Sequence, residues 1–127
     1  MGSANLEHVN VTVSNPERTA AVLCELFGWH VRWEGASLMG GRTVHVGRDN
    51  SYLALYTPDK TTKRNGSSYV RHGGLNHIGV VVDDLYATEQ RVLAAGYKTH
   101  NHGDYEPGER FYFNDHDNIE FEVVHYP

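Results

Sequence analysis

The residues best suited to chemistry in this chain are histidines, and two of them recur in the same surroundings. There are nine in 127 residues. His8 lies in LEHVNVTV and His77 in LNHIGVVV. A third strand-like run, Ile119–His125, puts Glu120 and Glu122 on one face, because strand side chains alternate. Imidazole supplies a neutral nitrogen donor and carboxylate an anionic oxygen donor. Two histidines and one carboxylate converging with open positions form the facial triad of non-heme iron chemistry, and Mn, Co, Ni or Zn also accept such a set. A lone strand histidine is more commonly a hydrogen-bonded structural residue. Equivalent histidines in two repeats shift that balance, so His8 and His77 are read as metal ligands. Glu120 and Glu122 both stand as candidates for the carboxylate.

The elements that must position these residues follow from the repeat. Residues 6–28, LEHVNVTVSNPERTAAVLCELFG, align with residues 75–96, LNHIGVVVDDLYATEQRVLAAG. Both run through a helical stretch to a glycine, Gly28 or Gly96, and both restart on an aromatic, Trp29 or Tyr97. Asp49-Asn50 echoes Asp117-Asn118. The first repeat reads as strand Leu6–Val13, a helix from Pro16 capped by Ser14 or Asn15, and strands Trp29–Glu34, Arg42–Gly47 and Ser51–Thr57. Ala20, Leu23, Cys24 and Phe27 form the apolar stripe of that helix. The second reads as strand Asn76–Val82, helix Asp84–Ala95, strand Tyr97–Asn101, a loop Gly103–Gly108, and strands Arg110–Asn114 and Ile119–His125. Module one spans 6–58, a polar linker 59–74, and module two 75–126. The order βαβββ–βαβββ predicts an α+β fold, with helices outside a curved, mostly antiparallel sheet.

Alternation assigns the faces. Val9, Val11, Ile78, Val80, Phe121 and Val123 face the helices. Aligning the Asp-Asn pairs puts Ala54 at the place of Glu122, and alanine has no donor atom. Tyr52 and Tyr56 flank it and are read as pocket lining, since a neutral phenol is a poor ligand. His45, between Val44 and Val46, also falls on the cavity side. Cys24 is read as a buried hydrophobe. Trp29 and Trp33 are assigned to packing, in the core or between subunits.

Composition excludes several classes. The length fits one domain. A formal net charge of −5 argues against nucleic acid as a partner, because phosphate binding needs a basic face. No apolar stretch approaches a membrane span. No signal-peptide pattern precedes the first strand, and the single cysteine, Cys24, excludes an internal disulfide, so a cytoplasmic setting is expected.

These residues resemble the vicinal oxygen chelate superfamily: glyoxalases, bleomycin- and fosfomycin-resistance proteins, methylmalonyl-CoA epimerase and type I extradiol dioxygenases. The resemblance covers about residues 5–126 and is carried by His8, His77 and FYFNDHDNIEFEVV at 111–124. Where the family has Asp-Pro-Asp-Gly, this chain has Asp115-His116-Asp117-Asn118. The resemblance implies paired modules around a metal-holding cavity and a small substrate that chelates the ion through adjacent oxygens. It implies His8, His77 and Glu122 as ligands. Glyoxalase I and the epimerase generally use a fourth protein ligand from the strand that here carries Ala54, so the three-ligand members fit better. The best match is an extradiol-dioxygenase-like enzyme with Fe(II), with Mn, Zn or Ni as alternatives. In that reading Tyr112 and His102 are catalytic, and Tyr52, Tyr56, His45 and Arg110 contact substrate. The fosfomycin-type alternative would use Lys60, Lys63 and Arg64 for a phosphonate. A glyoxalase-like lyase or isomerase and a metal-free binder of the bleomycin-resistance kind complete the set. The resemblance also implies a homodimer, with modules exchanged in some relatives.

Overall fold

The structure, a computed structural model, describes residues 2–63 and 66–127. It divides into two compact units, Met1–Thr62 and Lys63–Pro127.

The first unit comprises β1 (His8–Thr12), α1 (Pro16–Phe27), β2 (His30–Ala36), β3 (Arg42–Gly47) and β4 (Tyr52–Thr57). The sheet order is β1-β4-β3-β2, with β1 parallel to β4 and the other pairs antiparallel. The parallel pair arises because α1 is the crossover between the repeat's first strand and its sheet. Asn15 caps α1, its side chain accepting from the Arg18 N–H at 3.1 Å, and Pro16 occupies the first turn, where no N–H partner is needed. Gly28 ends the helix at φ 69°, a left-handed conformation that favours glycine. The buried stripe is Thr19, Ala20, Leu23 and Leu26. It is therefore rotated from the expected one. Leu26 reaches the core, while Cys24 and Phe27 are half-buried and Phe27 packs on Trp29 with ring centroids 5.1 Å apart. Beneath the helix lie Val11, Val44, Val46, Leu53 and Leu55.

The second unit has a 3-10 turn at Ser68–Val70, then β5 (Ile78–Val81), α2 (Leu85–Ala94), β6 (Thr99–Tyr105), β7 (Gly108–Asn114) and β8 (Glu120–His125). Its sheet order, β5-β8-β7-β6, repeats the first. Asp84 caps α2 through the Ala87 N–H at 3.0 Å. The expected loop Gly103–Gly108 is instead a hairpin, because the ladder continues through Gly103–Arg110, Asp104–Glu109 and Tyr105–Gly108. Most of that segment is exposed, so no apolar alternation marks it as strand. The core is aromatic: Phe111, Phe113 and Phe121 are at most 1% exposed. Each buried phenylalanine contributes about 1.5–3 kcal/mol of transfer free energy.

Each unit is thus α+β, and the described residues form two four-stranded mixed sheets with one long helix apiece. Among the described residues no helix is long and apolar enough to cross a membrane.

Candidate functional site

In the second unit the open face of the sheet gathers the charged residues. Strand alternation carries Arg110, Tyr112, Glu120 and Glu122 to the side away from the phenylalanines. His77 stands one residue before β5. Its Nδ1 donates to Asn76 Oδ1 at 2.7 Å, since an amide oxygen only accepts. That leaves Nε2 as the nitrogen with the lone pair in the neutral ring, and it faces Glu122 Oε1 at 3.6 Å.

Glu122 is held from its other oxygen. Oε2 accepts from Arg110 Nη1 at 2.8 Å and from the Tyr112 hydroxyl at 2.7 Å. Burial works to raise this carboxyl. The hydrogen bonds from Tyr112 and Arg110 outweigh it and hold the group below the usual carboxylate range. The Tyr112 phenol is pushed up to about 12 by donating to Glu122, so it keeps its proton at neutral pH. The open oxygen, Oε1, is thereby oriented towards His77.

This pair suits a cation. At 3.6 Å the nitrogen and oxygen are too far apart for a good hydrogen bond. Two donors bound to one ion at about 2.0–2.2 Å lie roughly 3.0–3.5 Å from each other. The His77–Glu122 separation needs little adjustment to reach that. Glu120 stands on the other side of the imidazole. Its Oε1 lies 3.9 Å from His77 Nδ1 and accepts a hydrogen bond from the Tyr69 hydroxyl.

The first unit repeats the histidine device. His8 Nδ1 bonds Glu7 Oε1 at 2.9 Å, as His77 bonds Asn76, so each repeat histidine is tethered through Nδ1 by the residue before it. Around it the chemistry differs. His8, Tyr52, His45 and Trp33 form a row of rings across β1, β4, β3 and β2, with centroids 4.9, 4.6 and 5.0 Å apart. Arg32 lies over the Tyr52 ring at 4.4 Å. Burial, with the charges of His8 and Arg32, pushes the His45 imidazole down. Pairing of Asn10 and His45 with Ala54, against Gly79 and Tyr112 with Glu122, makes Ala54 and Glu122 equivalent. The first sheet offers no donor atom there.

The structure thus brings His77, Glu122, Tyr112 and Arg110 together in one unit and His8, Tyr52 and His45 together in the other. Among the described residues no three His, Cys, Asp or Glu side chains are grouped so that they could hold a metal ion. Three expected roles meet a different geometry. Arg110 spends its guanidinium on Glu122 and the Gly108 carbonyl and clamps the carboxylate. The Tyr56 hydroxyl donates to the Leu38 carbonyl at 2.9 Å and tethers the β2–β3 loop. His102 lies on the helix side of β6, where its Nε2 bonds Glu89 Oε2 of α2 at 2.6 Å and its ring stacks on Phe111. A bulge between His100 and Gly103 rotates it there, so it is not brought to Tyr112 and Glu122. Lys60 and Lys63 are exposed, and Arg64 lies outside the described residues.

Sequence reasoning missed Glu7, Asn76, Arg32 and Tyr69. A signal existed for the first two: the residue before each repeat histidine carries a side-chain oxygen. None existed for Arg32 and Tyr69, whose partners depend on the β2 bulge and the linker turn.

The family model described as Glyoxalase/Bleomycin resistance protein/Dioxygenase superfamily matches residues 5–123. No curated protein matches the chain by sequence. Among solved structures, a glyoxylase/bleomycin resistance protein/dioxygenase domain from Frankia sp. EAN1pec superposes with a TM-score of 0.83 at 20% identity, covering 99% of this chain and 100% of that one. TnmS3, an antibiotic binding protein from Streptomyces sp. CB03234, gives 0.75 at 18% identity over 100% and 99%. The fosfomycin resistance protein FosX from Listeria monocytogenes gives 0.74 at 17% identity over 100% and 96%. At these identities the similarity establishes the shared fold.

Proposed function

The chain belongs to the Glyoxalase/Bleomycin resistance protein/Dioxygenase superfamily, and on that premise we propose that it is a divalent-metal-dependent enzyme whose protein ligands are His8, His77 and Glu122. The observation that carries this is the pair His77 Nε2 and Glu122 Oε1, both oriented from behind and separated by 3.6 Å. The matching Nδ1 tether on His8 supports its inclusion. Alanine at position 54, where a fourth ligand would stand, favours three protein ligands and open positions. We therefore rank extradiol-like ring opening of a catechol-like compound first, with Fe(II) as the ion.

When bound, the ion supplies an electrophilic centre with open positions for two adjacent substrate oxygens. The protein does the rest. Asn76 and Glu7 fix the imidazole orientations. Arg110 and Tyr112 keep Glu122 ionised and aimed, and Tyr112 holds its own proton on Oη, directed at Glu122 Oε2. Tyr52 and His45, stacked on one another, are the aromatic residues proposed to contact a ring-bearing substrate.

The test is elemental analysis of protein purified without oxygen, beside Glu122→Ala. One iron per chain in the parent, lost in the variant, is the expected result, followed by O2 uptake with catechols. Zinc, manganese or nickel in its place would move the reaction to the lyase, isomerase or transferase classes. A parent that takes up no divalent metal after reconstitution overturns the enzyme and leaves a binding protein.

A further inference from the structure

Glu120 and Glu122 sit on the same face of β8, and both have the reach and charge to serve as the ligand carboxylate. The structure separates them by their partners. Glu122 faces the Nε2 side of His77. Glu120 faces the Nδ1 side, where Nδ1 already donates to Asn76. The Glu120 side chain is only 14% exposed, so its charge needs a donor. That donor is Tyr69, which comes from outside the repeat, on the 3-10 turn of the linker. The turn is built to present it. Ser67 Oγ accepts from the Tyr69 N–H at 3.1 Å, and Gly74 N–H donates to the Arg71 carbonyl at 2.9 Å. Gly74 passes so close to the Ser68 carbonyl that an added Cβ would clash with it. Tyr69 itself is 57% exposed, so its ring contributes little to the core and its hydroxyl is the working part.

We infer that Tyr69 is a positioning residue that decides which carboxylate meets the metal: it holds Glu120 on the Nδ1 side of His77 and leaves Glu122 alone on the Nε2 side. This rests on the metal-dependent reading above. The linker is thereby part of the site, since a change in the Ser68–Val70 turn releases a second carboxylate next to a ligand. The first unit needs no such guard, because Tyr52 stands where Glu120 does.

The experiment is a Co(II) titration of the whole protein, read by visible absorption and by competition with a chelator. It uses the parent, Tyr69→Phe, Glu120→Gln and the double variant. Tyr69→Phe is expected to alter the Co(II) bands and to change the apparent Kd by about tenfold, the scale of a lost outer hydrogen bond at a metal site. Glu120→Gln, which cannot compete as an anion, is expected to keep the parent spectrum. In the Glu120→Gln background Tyr69→Phe is expected to do nothing further. A parental spectrum and Kd in Tyr69→Phe overturn the inference, as does an undiminished effect in the double variant. Thermal unfolding of the four proteins separates a folding defect from a change at the site. A parent that binds no Co(II), Fe(II) or Zn(II) overturns the metal reading itself, and this inference with it.

Discussion

The same sequence of strands carries two different open faces. By register, Ala54 is equivalent to Glu122, His45 to Tyr112, Thr43 to Arg110 and Trp33 to His100. Continuing the β5–β8 ladder by one residue makes Tyr52 equivalent to Glu120. The first face is a row of rings, while the second is a carboxylate held by a guanidinium and a phenol. Common to both are the histidine with its Nδ1 tether and a ring pair at equivalent positions, Trp33–His45 in the first and His100–Tyr112 in the second. The repeat has therefore kept the Nδ1 tether of the imidazole while the residues around it differ. The first sheet carries stacked rings on its open face, and the second a clamped carboxylate. The faces under the helices differ as well: Val44, Val46 and Leu53 in the first unit stand where Phe111, Phe113 and Phe121 stand in the second.

That difference in the cores gives the largest expected effect. Phe111→Ala removes a side chain at 0% exposure and should cost about 3–5 kcal/mol. The equivalent Val44→Ala deletes fewer carbons and should cost about 2 kcal/mol. Urea unfolding of both variants measures the gap. Equal costs would mean that the aromatic core is loosely packed and that the two units do not differ in how they are held.

Next in size is an attempt to make the first face resemble the second. Ala54 is 2% exposed, and the position equivalent to Arg110 is Thr43. Ala54→Glu therefore buries a carboxylate without its guanidinium and should destabilise the protein by about 1–3 kcal/mol. Adding Thr43→Arg should recover much of the loss, because breaking or making one partner of a buried pair dominates its energetics. Urea midpoints of the single and double variants decide this. If Thr43→Arg gives no recovery, the clamp on Glu122 depends on more than the register-equivalent position.

The legibility of these features in the sequence follows the range of the interactions that make them. The repeat, both helices and their caps at Asn15 and Asp84 rest on neighbours within a few residues, and each is visible in the string. So is the equivalence of Ala54 and Glu122, because strand period and the Asp-Asn turns fix it. The hairpin over Gly103–Gly108 was hidden, since an exposed strand carries no apolar alternation. The position of His102 was hidden for a related reason. A bulge adds a residue to one strand, which moves the side chains around it to faces that strict alternation does not predict. Tyr69 was hidden because its partner, Glu120, lies far along the chain and only the folded linker joins them.

The smallest expected effects test whether His102 belongs to the helix side, and they separate that side from the open face. Glu89 accepts from Thr99 Oγ1 at 2.5 Å and from His102 Nε2 at 2.6 Å. Burial works to raise the Glu89 carboxyl, and these two hydrogen bonds prevail and hold it below its usual value of 4.5. A carboxyl held low in the folded state contributes stability that is complete above its unfolded pKa and is lost as pH falls through the folded one. Glu89→Gln should therefore cost about 1–2 kcal/mol at pH 7, and the gap to the parent should close as the pH falls below about 4. His102→Asn should show a similar but smaller loss of stability, with metal uptake unchanged, because its ring stacks on Phe111 and its Nε2 bonds Glu89 on the helix side of the sheet. Melting temperatures across pH, beside metal content for each variant, make the comparison. A loss of metal in His102→Asn with stability intact would return that histidine to the open face and contradict the bulge that turns it away.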